Sequence, residues 1–327
     1  MNNIEYCKHN DSIFFNSNTI IEMLSQSMME NRYAIQVVSI NHLEELQKDI
    51  ENLRSSDLFS DLINTITNDF YSFVLPDAPF KINSIIVVAS PKPLVEVKFN
   101  LKDKTISLLH HTYVNIDKTT DIKHNIDEIL NSKGFHLVEA ASLPQKLLAV
   151  RSGLAKYGRN NITYVDGMGS LQELTTFYSD ILCTDDNWHE IQQMDLCKTC
   201  SVCINICPTA AITKERYLIK AERCLTYLNE FIWPMVKDFP SWLDKSAHNC
   251  IHGCILCQVN CPQNRKFIDN IVGIIEFNEE ETSMLLEGKS IKELPKDLIL
   301  KLKKLNLADD YFDLLSRNLK VLIDKEL

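Results

Sequence analysis

The sequence predicts an α+β chain built in three parts, and three observations predict it. Apolar periods typical of strands and of helices alternate from about residue 33 to residue 185. The cysteines are absent between Cys7 and Cys183 and then crowd into Cys183 to Cys261. From Phe267 onward leucines recur at helical spacing. We therefore expect an α/β unit over residues 1–185, a loop-rich unit held by cysteines over 186–265 and a helical segment over 266–327. A chain of 327 residues, 45% of them hydrophobic, has room for one large core and smaller satellites.

The first unit opens its regular structure with "YAIQVVSI" (Tyr33 to Ile40), a β-branched run that reads as a strand. Asn41 is placed to cap the helix "HLEELQKDIENLR", and a second helix covers Leu58 to Phe73. "INSIIVVAS", ended by Pro91, is a short apolar run and so a buried strand. "LVEVKF" alternates with period two, "NLKDK" turns, and "TISLLHHTYV" returns, which makes a hairpin and a sheet that is at least partly antiparallel. Asp117 to Ser132 is amphipathic and stops at Gly134; "FHLVEA" is a further strand. Pro144 opens a helix expected to reach Tyr157, with Gly158 as its cap. "NITYV", the turn "DGMG" and the apolar run "LQELTTFYSDIL" complete the unit. The tail offers "EETSMLLEG", "DLILKLKKLNL" and "DDYFDLLSRNLKVLI" as helices whose leucine stripes serve packing.

Charge and termini narrow the function. A formal net charge of −10 argues against broad contact with nucleic acid, which needs Lys and Arg to neutralise phosphates. The N-terminal stretch has no basic region followed by an apolar one, and no run approaches membrane-spanning length. The expected setting is therefore cytoplasmic, with no membrane partner. Thiols stay reduced there, so clustered cysteines read as metal ligands rather than disulfides, and the odd count of eleven fits that.

Cys197, Cys200, Cys203 and Cys207 have the spacing C-x2-C-x2-C-x3-C-P of a bacterial ferredoxin run. Three thiolates of so tight a loop can reach three corners of one 4Fe-4S cube, while the fourth turns to a second cube. Cys250, Cys254, Cys257 and Cys261, followed by Pro262, form another run. Two runs imply two clusters that exchange their last ligand. The first takes Cys197, Cys200, Cys203 and Cys261; the second takes Cys207, Cys254 and Cys257 with either Cys224 or Cys250, spacing leaning to Cys250. Zinc sites favour paired C-x2-C units, and three cysteines at consecutive x2 spacing crowd a tetrahedron. The second run also spells C-x3-C-x2-C, the radical-SAM spacing, but too few residues follow it for a (β/α)8 barrel.

"LLAVRSGLAKYGRNNITYV", "GMGSLQELTTFYSDIL", "CKTCSVCINICPTAAI", "AERCLTYLNE" and "GCILCQVNCPQN" follow one another in this chain. That order resembles the epoxyqueuosine reductases and their relatives, the reductive dehalogenases, over roughly Leu137 to Arg265. The resemblance implies a nitroreductase-like α/β domain that holds cobalamin against a dicluster ferredoxin-like domain. It also implies that Cys224, in "ERCLTYL", is the last ligand of the second cluster. Departures point to a paralogue. Glu139 stands where an ungapped alignment puts the family's proton-donating Asp, and a two-residue shift puts Ala141 there. "YGR" replaces a Lys-containing segment, and of the C-terminal tRNA-binding repeats only "LSRNLKVLI" is suggested.

The resemblance implies roles for a few residues of the first unit, each weighed against a plainer one. Glu139 would be the catalytic proton donor if a closed apolar pocket raised its pKa; otherwise it is a solvated carboxylate. Arg159 and Asn160 would bind the amides of a corrin ring or an anionic substrate, or Arg159 would bond the last helix carbonyls. Ser170 would touch the cofactor. His110 and His111 face opposite sides of a strand, one of them available to a pocket. Tyr113, Tyr157, Tyr164 and Tyr178 are further proton donors. With no D-x-H-x-x-G segment, cobalamin is expected base-off, without a protein histidine under cobalt. The whole reads as an iron–sulfur, cobalamin-dependent reductase of a small or nucleoside-like molecule, fed by a ferredoxin or flavodoxin. A dicluster electron carrier without its own catalytic cofactor, a flavin enzyme and an epoxyqueuosine reductase proper are the alternatives.

Overall fold

The computed structural model describes residues 3–56, 60–110, 118–183, 185–214, 218–230, 238–308 and 312–326. His111 and Tyr113 lie outside them. A long helix α1 (Asn3–Glu30) leads into β1 (Ala34–Ser39), α2 (Leu43–Arg54) and α3 (Asp61–Phe70). Sequence periodicity had not shown α1, although Ile20, Leu24 and Met28 recur every four residues and are fully or almost fully buried. Asn41 is not a cap. Ser39 accepts its backbone N–H and starts a short 3-10 turn, Ile40–His42, ahead of α2.

β2 (Ser84–Pro91) is the axis of the first unit. It pairs antiparallel with β1 on one side and with β8 (Gln172–Ser179) on the other, and β8 pairs with β5 (Leu137–Glu139), giving the order β1-β2-β8-β5. The period of two then decides the layers. Ile85, Val87 and Ala89 pack on α2 and on α5 (Gln145–Arg151). Ile86 and Val88 pack on α1 and on α4 (Lys118–Asn131). Buried on both faces, the strand could show no alternation in sequence. Each of these Ile and Val side chains contributes roughly 1.5–3 kcal/mol.

β3 (Leu94–Leu101) and β4 (Lys104–His110) form the expected hairpin, turned at Lys102 and Asp103, both at positive φ. The tail departs from expectation. Ile271–Phe277 is a strand, β9, that pairs parallel with β3. Its β-branched run between two asparagines was the available signal. α9 (Glu279–Leu286), α10 (Lys296–Lys304) and α11 (Phe312–Glu326) cover this sheet through Leu285, Leu298, Leu302, Leu315 and Leu319, as their leucine stripes required.

The helix begun at Pro144 also ends early, at Arg151; Gly153, not Gly158, takes the left-handed conformation after it. Lys156–Tyr157 and Thr163–Tyr164 are short strands, β6 and β7, of a two-stranded ribbon. Gly158 is needed for a different reason. A Cβ there would stand 2.5 Å from the Tyr164 ring and 2.6 Å from Asn160 Oδ1. The cysteine-rich segment holds α6 (Val202–Ile206), α7 (Leu225–Glu230) and α8 (Leu256–Val259), with α6 packed on α8.

Candidate cluster and cofactor site

Short turns aim the cysteines. A 3-10 turn, Asp195–Lys198, carries Cys197, and α6 carries Cys203. Cys207 leaves α6 in an extended conformation with Pro208 behind it, so the helix cannot continue and the thiol turns away. Cys261 likewise leaves α8 extended, and Pro262 opens the next turn. Cys224 ends a 3-10 turn, Ala221–Arg223, in the same way.

Cys197, Cys200, Cys203 and Cys261 line one small cavity, together with Arg159, Tyr164 and Leu196. Cys207, Cys224, Cys254 and Cys257 line the wall of a second cavity of about 460 Å3. Cys250 stands apart. Its buried thiol donates to Leu109 O at 3.6 Å and Asn249 Oδ1 at 3.2 Å, among Leu94, Leu171 and Ile255. Among the described residues no three His, Cys, Asp or Glu converge on a single ion. Each set instead surrounds a space, which is how thiolates meet the corners of a cube. Burial pushes the Cys203 and Cys254 thiols up to about 11 and Cys257 well above its ordinary value. Iron binding must therefore release protons here.

The larger cavity lies between the cysteine-rich segment and the first unit. Gln145, Lys146, Asn161, Thr163 and Gln172 face Thr209, Ile212, Thr226 and the four thiols. Lys146 donates to Asn161 O at 3.2 Å and Oδ1 at 3.4 Å. Water in the cavity still reaches it, but the surrounding protein lowers its pKa, an effect the Cys224 charge opposes. Lys92, also on the wall, pairs with Glu173 at 3.3 Å. Among the described residues that line this cavity there is no histidine. His110 points instead to Leu305 O at 3.4 Å, where burial lowers it to about 4.

The predicted site residues fare differently. Glu139 ends β5 exposed and outside the cavity lining, so no closed apolar pocket surrounds it. Arg159 does not reach the larger cavity. Its guanidinium donates to Cys197 O at 2.6 Å and Lys214 O at 2.9 Å, beside the first set of thiols, because the chain turns at Gly158 rather than ending a helix. Asn160 is buried between the two sets; it donates to Tyr164 Oη at 3.0 Å and Cys257 O at 3.4 Å. Tyr164 in turn hydrogen-bonds Cys261, and burial raises its pKa. Ser170 lines the larger cavity, but its polar atoms are engaged. Its N–H donates to Asn264 Oδ1 at 2.9 Å and its hydroxyl to Gln258 Oε1 at 2.9 Å. Tyr157 and Tyr178 belong to the core under α5. Sequence reasoning missed Lys146, Asn264 and Asn249, whose Nδ2 donates to Cys254 Sγ at 3.2 Å. "NCPQN" immediately after the last cysteine was the one local hint for Asn264.

Residues 196–264 match the family described as 4Fe-4S double cluster binding domain. The epoxyqueuosine reductase of Atelocyanobacterium thalassa is 29% identical over 168 residues, 50% of this chain and 52% of that protein. The chain thus spans about half the length of the curated relatives it matches. The solved epoxyqueuosine reductase of Bacillus subtilis superposes with a TM-score of 0.65 at 17% identity, over 95% of this chain and 82% of that one. A crystal structure of an epoxyqueuosine reductase with an epoxyqueuosine-modified tRNA-Tyr stem loop gives 0.58 at 16% identity, over 95% and 81%. At these identities the likeness to solved structures establishes the fold. Among the described residues no helix is long and apolar enough to cross a membrane.

Proposed function

We infer that this chain, a relative of the epoxyqueuosine reductases, is an oxidoreductase that relays electrons through two 4Fe-4S clusters to a corrinoid, which reduces a small or nucleoside-like substrate. One observation carries the reading: the second set of thiols opens onto a 460 Å3 cavity walled by the first unit. An electron carrier needs no such space. Cys197, Cys200, Cys203 and Cys261 would hold the first cluster; Cys207, Cys224, Cys254 and Cys257 would hold the second. The first unit, 1–185, supplies the cavity wall, and 186–265 the clusters.

The cavity fits a corrinoid by its donor chemistry. Gln145, Gln172, Asn161, Thr163 and Thr209 offer amides and hydroxyls to the amide rim of a corrin. No histidine of the described lining would hold the group, and the resemblance to the family would have it bound base-off. A bound corrinoid supplies low-potential cobalt chemistry for an unsaturated, epoxide or carbon–heteroatom bond. The protein orients and protonates. Lys146 and Lys92 bring cationic N–H donors to the wall, which suits a substrate with an oxygen acceptor or a negative charge. Lys146 lines the cavity, and Glu139 does not. Anaerobic cob(II)alamin should bind and give an EPR spectrum without axial-nitrogen splitting. Flavin binding instead would make this a flavin reductase, and binding of neither would leave an electron carrier.

A second reading is supported by the relative that was crystallised with an epoxyqueuosine-modified stem loop: the substrate here would be the same nucleoside in tRNA. The net charge of −10 and the absent Asp context weigh against it. We expect no queuosine to return in a strain lacking its epoxyqueuosine reductase; restored queuosine would move the substrate to tRNA.

A further inference from the structure

The two sets of thiols differ in what surrounds them. The second opens onto the larger cavity, whereas the first lies under an exposed face. The turn carrying Cys197 presents Leu196, 41% exposed, together with exposed Lys198. The loop before it runs beside β6, with Tyr157 N–H donating to Gln192 O and Met194 N–H to Tyr157 O, both at 2.9 Å. That pairing sets Ile191, 43% exposed, in the same segment and leaves Lys156 pointing outward, opposite to Tyr157. Lys198 pairs with Asp195 on the turn that carries Cys197, so their charges sit beside the first set of thiols. Arg159 ties this face to Lys214 by its bond to the Lys214 carbonyl, and Lys214 is exposed.

Exposed Lys156 and Lys198 thus flank the segment that holds the first set of thiols, Arg159 lies beside those thiols, and Arg159 joins the backbone of exposed Lys214 to them. Of the carboxylates described here, Asp195 is paired with Lys198 at 2.6 Å and Glu190 faces Arg151 at 3.6 Å. A positive patch of this kind on a chain of net charge −10 is against the general trend of the molecule. Apolar side chains ringed by lysines, over a redox centre, make a docking surface for an acidic protein.

We propose that the face formed by Lys156, Ile191, Leu196, Lys198 and Lys214 docks a small acidic one-electron carrier protein, which reduces the cluster held by Cys197, Cys200, Cys203 and Cys261. This rests on the two-cluster relay proposed above. In the step one electron leaves the reduced carrier and one cluster gains it; no bond forms or breaks and no proton is required. The global negative charge would repel an acidic carrier at long range, so the local patch must orient the encounter. Steering of this kind raises association rates by orders of magnitude at low ionic strength and fades with salt.

The test follows reduction of the cluster-loaded protein by reduced flavodoxin in an anaerobic stopped-flow, at low and high salt. Cluster bleaching gives the rate, and titration with oxidised flavodoxin gives the affinity. Lys156→Glu and Lys198→Glu should each lower both about tenfold at low salt, with little difference left at high salt. Lys133→Glu, in the turn that follows α4 on the other side of the sheet from α5, changes the net charge equally and should leave both near the native values. Reduced methyl viologen, a small cation, should reduce the native protein and the variants without a comparable loss. Variants as fast as the native protein, or a loss as large in Lys133→Glu, would overturn the docking face while leaving the relay intact. Failure of viologen to reduce either cluster would instead refute the relay, and flavodoxin that fails where viologen succeeds would refute the docking alone.

Discussion

Replacing Cys224 by alanine, set against the same change at Cys250, separates two readings that differ by one thiol. The structure gives unequal costs. Cys250 sits among Leu94, Leu171 and Ile255, and its thiol makes weak bonds to Leu109 O and Asn249 Oδ1. Cys250→Ala removes about one methylene's worth of burial, ~0.8 kcal/mol, and weak S–H bonds, for about 1–2 kcal/mol in all. That is a tolerable fraction of a domain's stability, and it touches no cluster corner. Cys224 shares its cavity with Cys207, Cys254 and Cys257, and burial raises its pKa while bonds from Thr226 and Tyr227 lower it. Cys224→Ala removes a corner. Anaerobic reconstitution with iron and sulfide counts should give about eight irons per chain for the native protein and for Cys250→Ala. Cys224→Ala should fall to about seven if a three-iron cluster remains, or about four if the second cluster is lost, with an EPR signal to match. A full complement in Cys224→Ala with loss in Cys250→Ala would refute the reasoning and return the last ligand to Cys250.

Two further outcomes follow from buried polar groups. Asn264 is fully buried and bonds the Ser170 N–H, the Ser170 hydroxyl and Gln258 O; Asn264→Ala strands those partners and should cost about 3–5 kcal/mol, read as a clear drop in the anaerobic melting midpoint. A shift of less than about 1 kcal/mol would mean that water replaces the amide. His110 is buried and its pKa is lowered to about 4 by desolvation, so between that value and 6.5 the unfolded chain binds the extra proton. Stability should be complete above pH 6.5 and fall as pH drops, by up to about 1.4 kcal/mol per unit from this group. His110→Gln should reduce that slope by this group's share, His248 and His252 keeping the rest, in denaturant titrations at stepped pH; an unchanged slope would assign the acid sensitivity to those two.

The cluster ligands were legible because their chemistry is local. Three thiols at x2 spacing can reach one cube from a single loop, and a proline after the fourth turns it outward, so Cys197 to Cys207 announced themselves without tertiary information. The hairpin at Lys102–Asp103, the buried strand β2 and the leucine stripes of α9 to α11 were likewise fixed by short-range periods and turn residues. Distance in sequence defeated the rest. Cys224 and Cys250 both fit the count of thiols, and only the fold sets one against Cys207 and the other against β4. β9 reads as part of a helical tail until its parallel pairing with β3, more than 170 residues earlier, supplies the hydrogen bonds that make it a strand. Arg159 and Asn160 stood in the right motif, but backbone direction after Gly158 sends Arg159 to the first set of thiols and leaves Asn160 on the wall between that set and the larger cavity. Glu139 stood at the aligned position, and an edge strand left it in water. Spacing along the chain sets which groups a loop can bring together; burial and orientation, which decide what those groups can do, are properties of the neighbours that folding alone supplies.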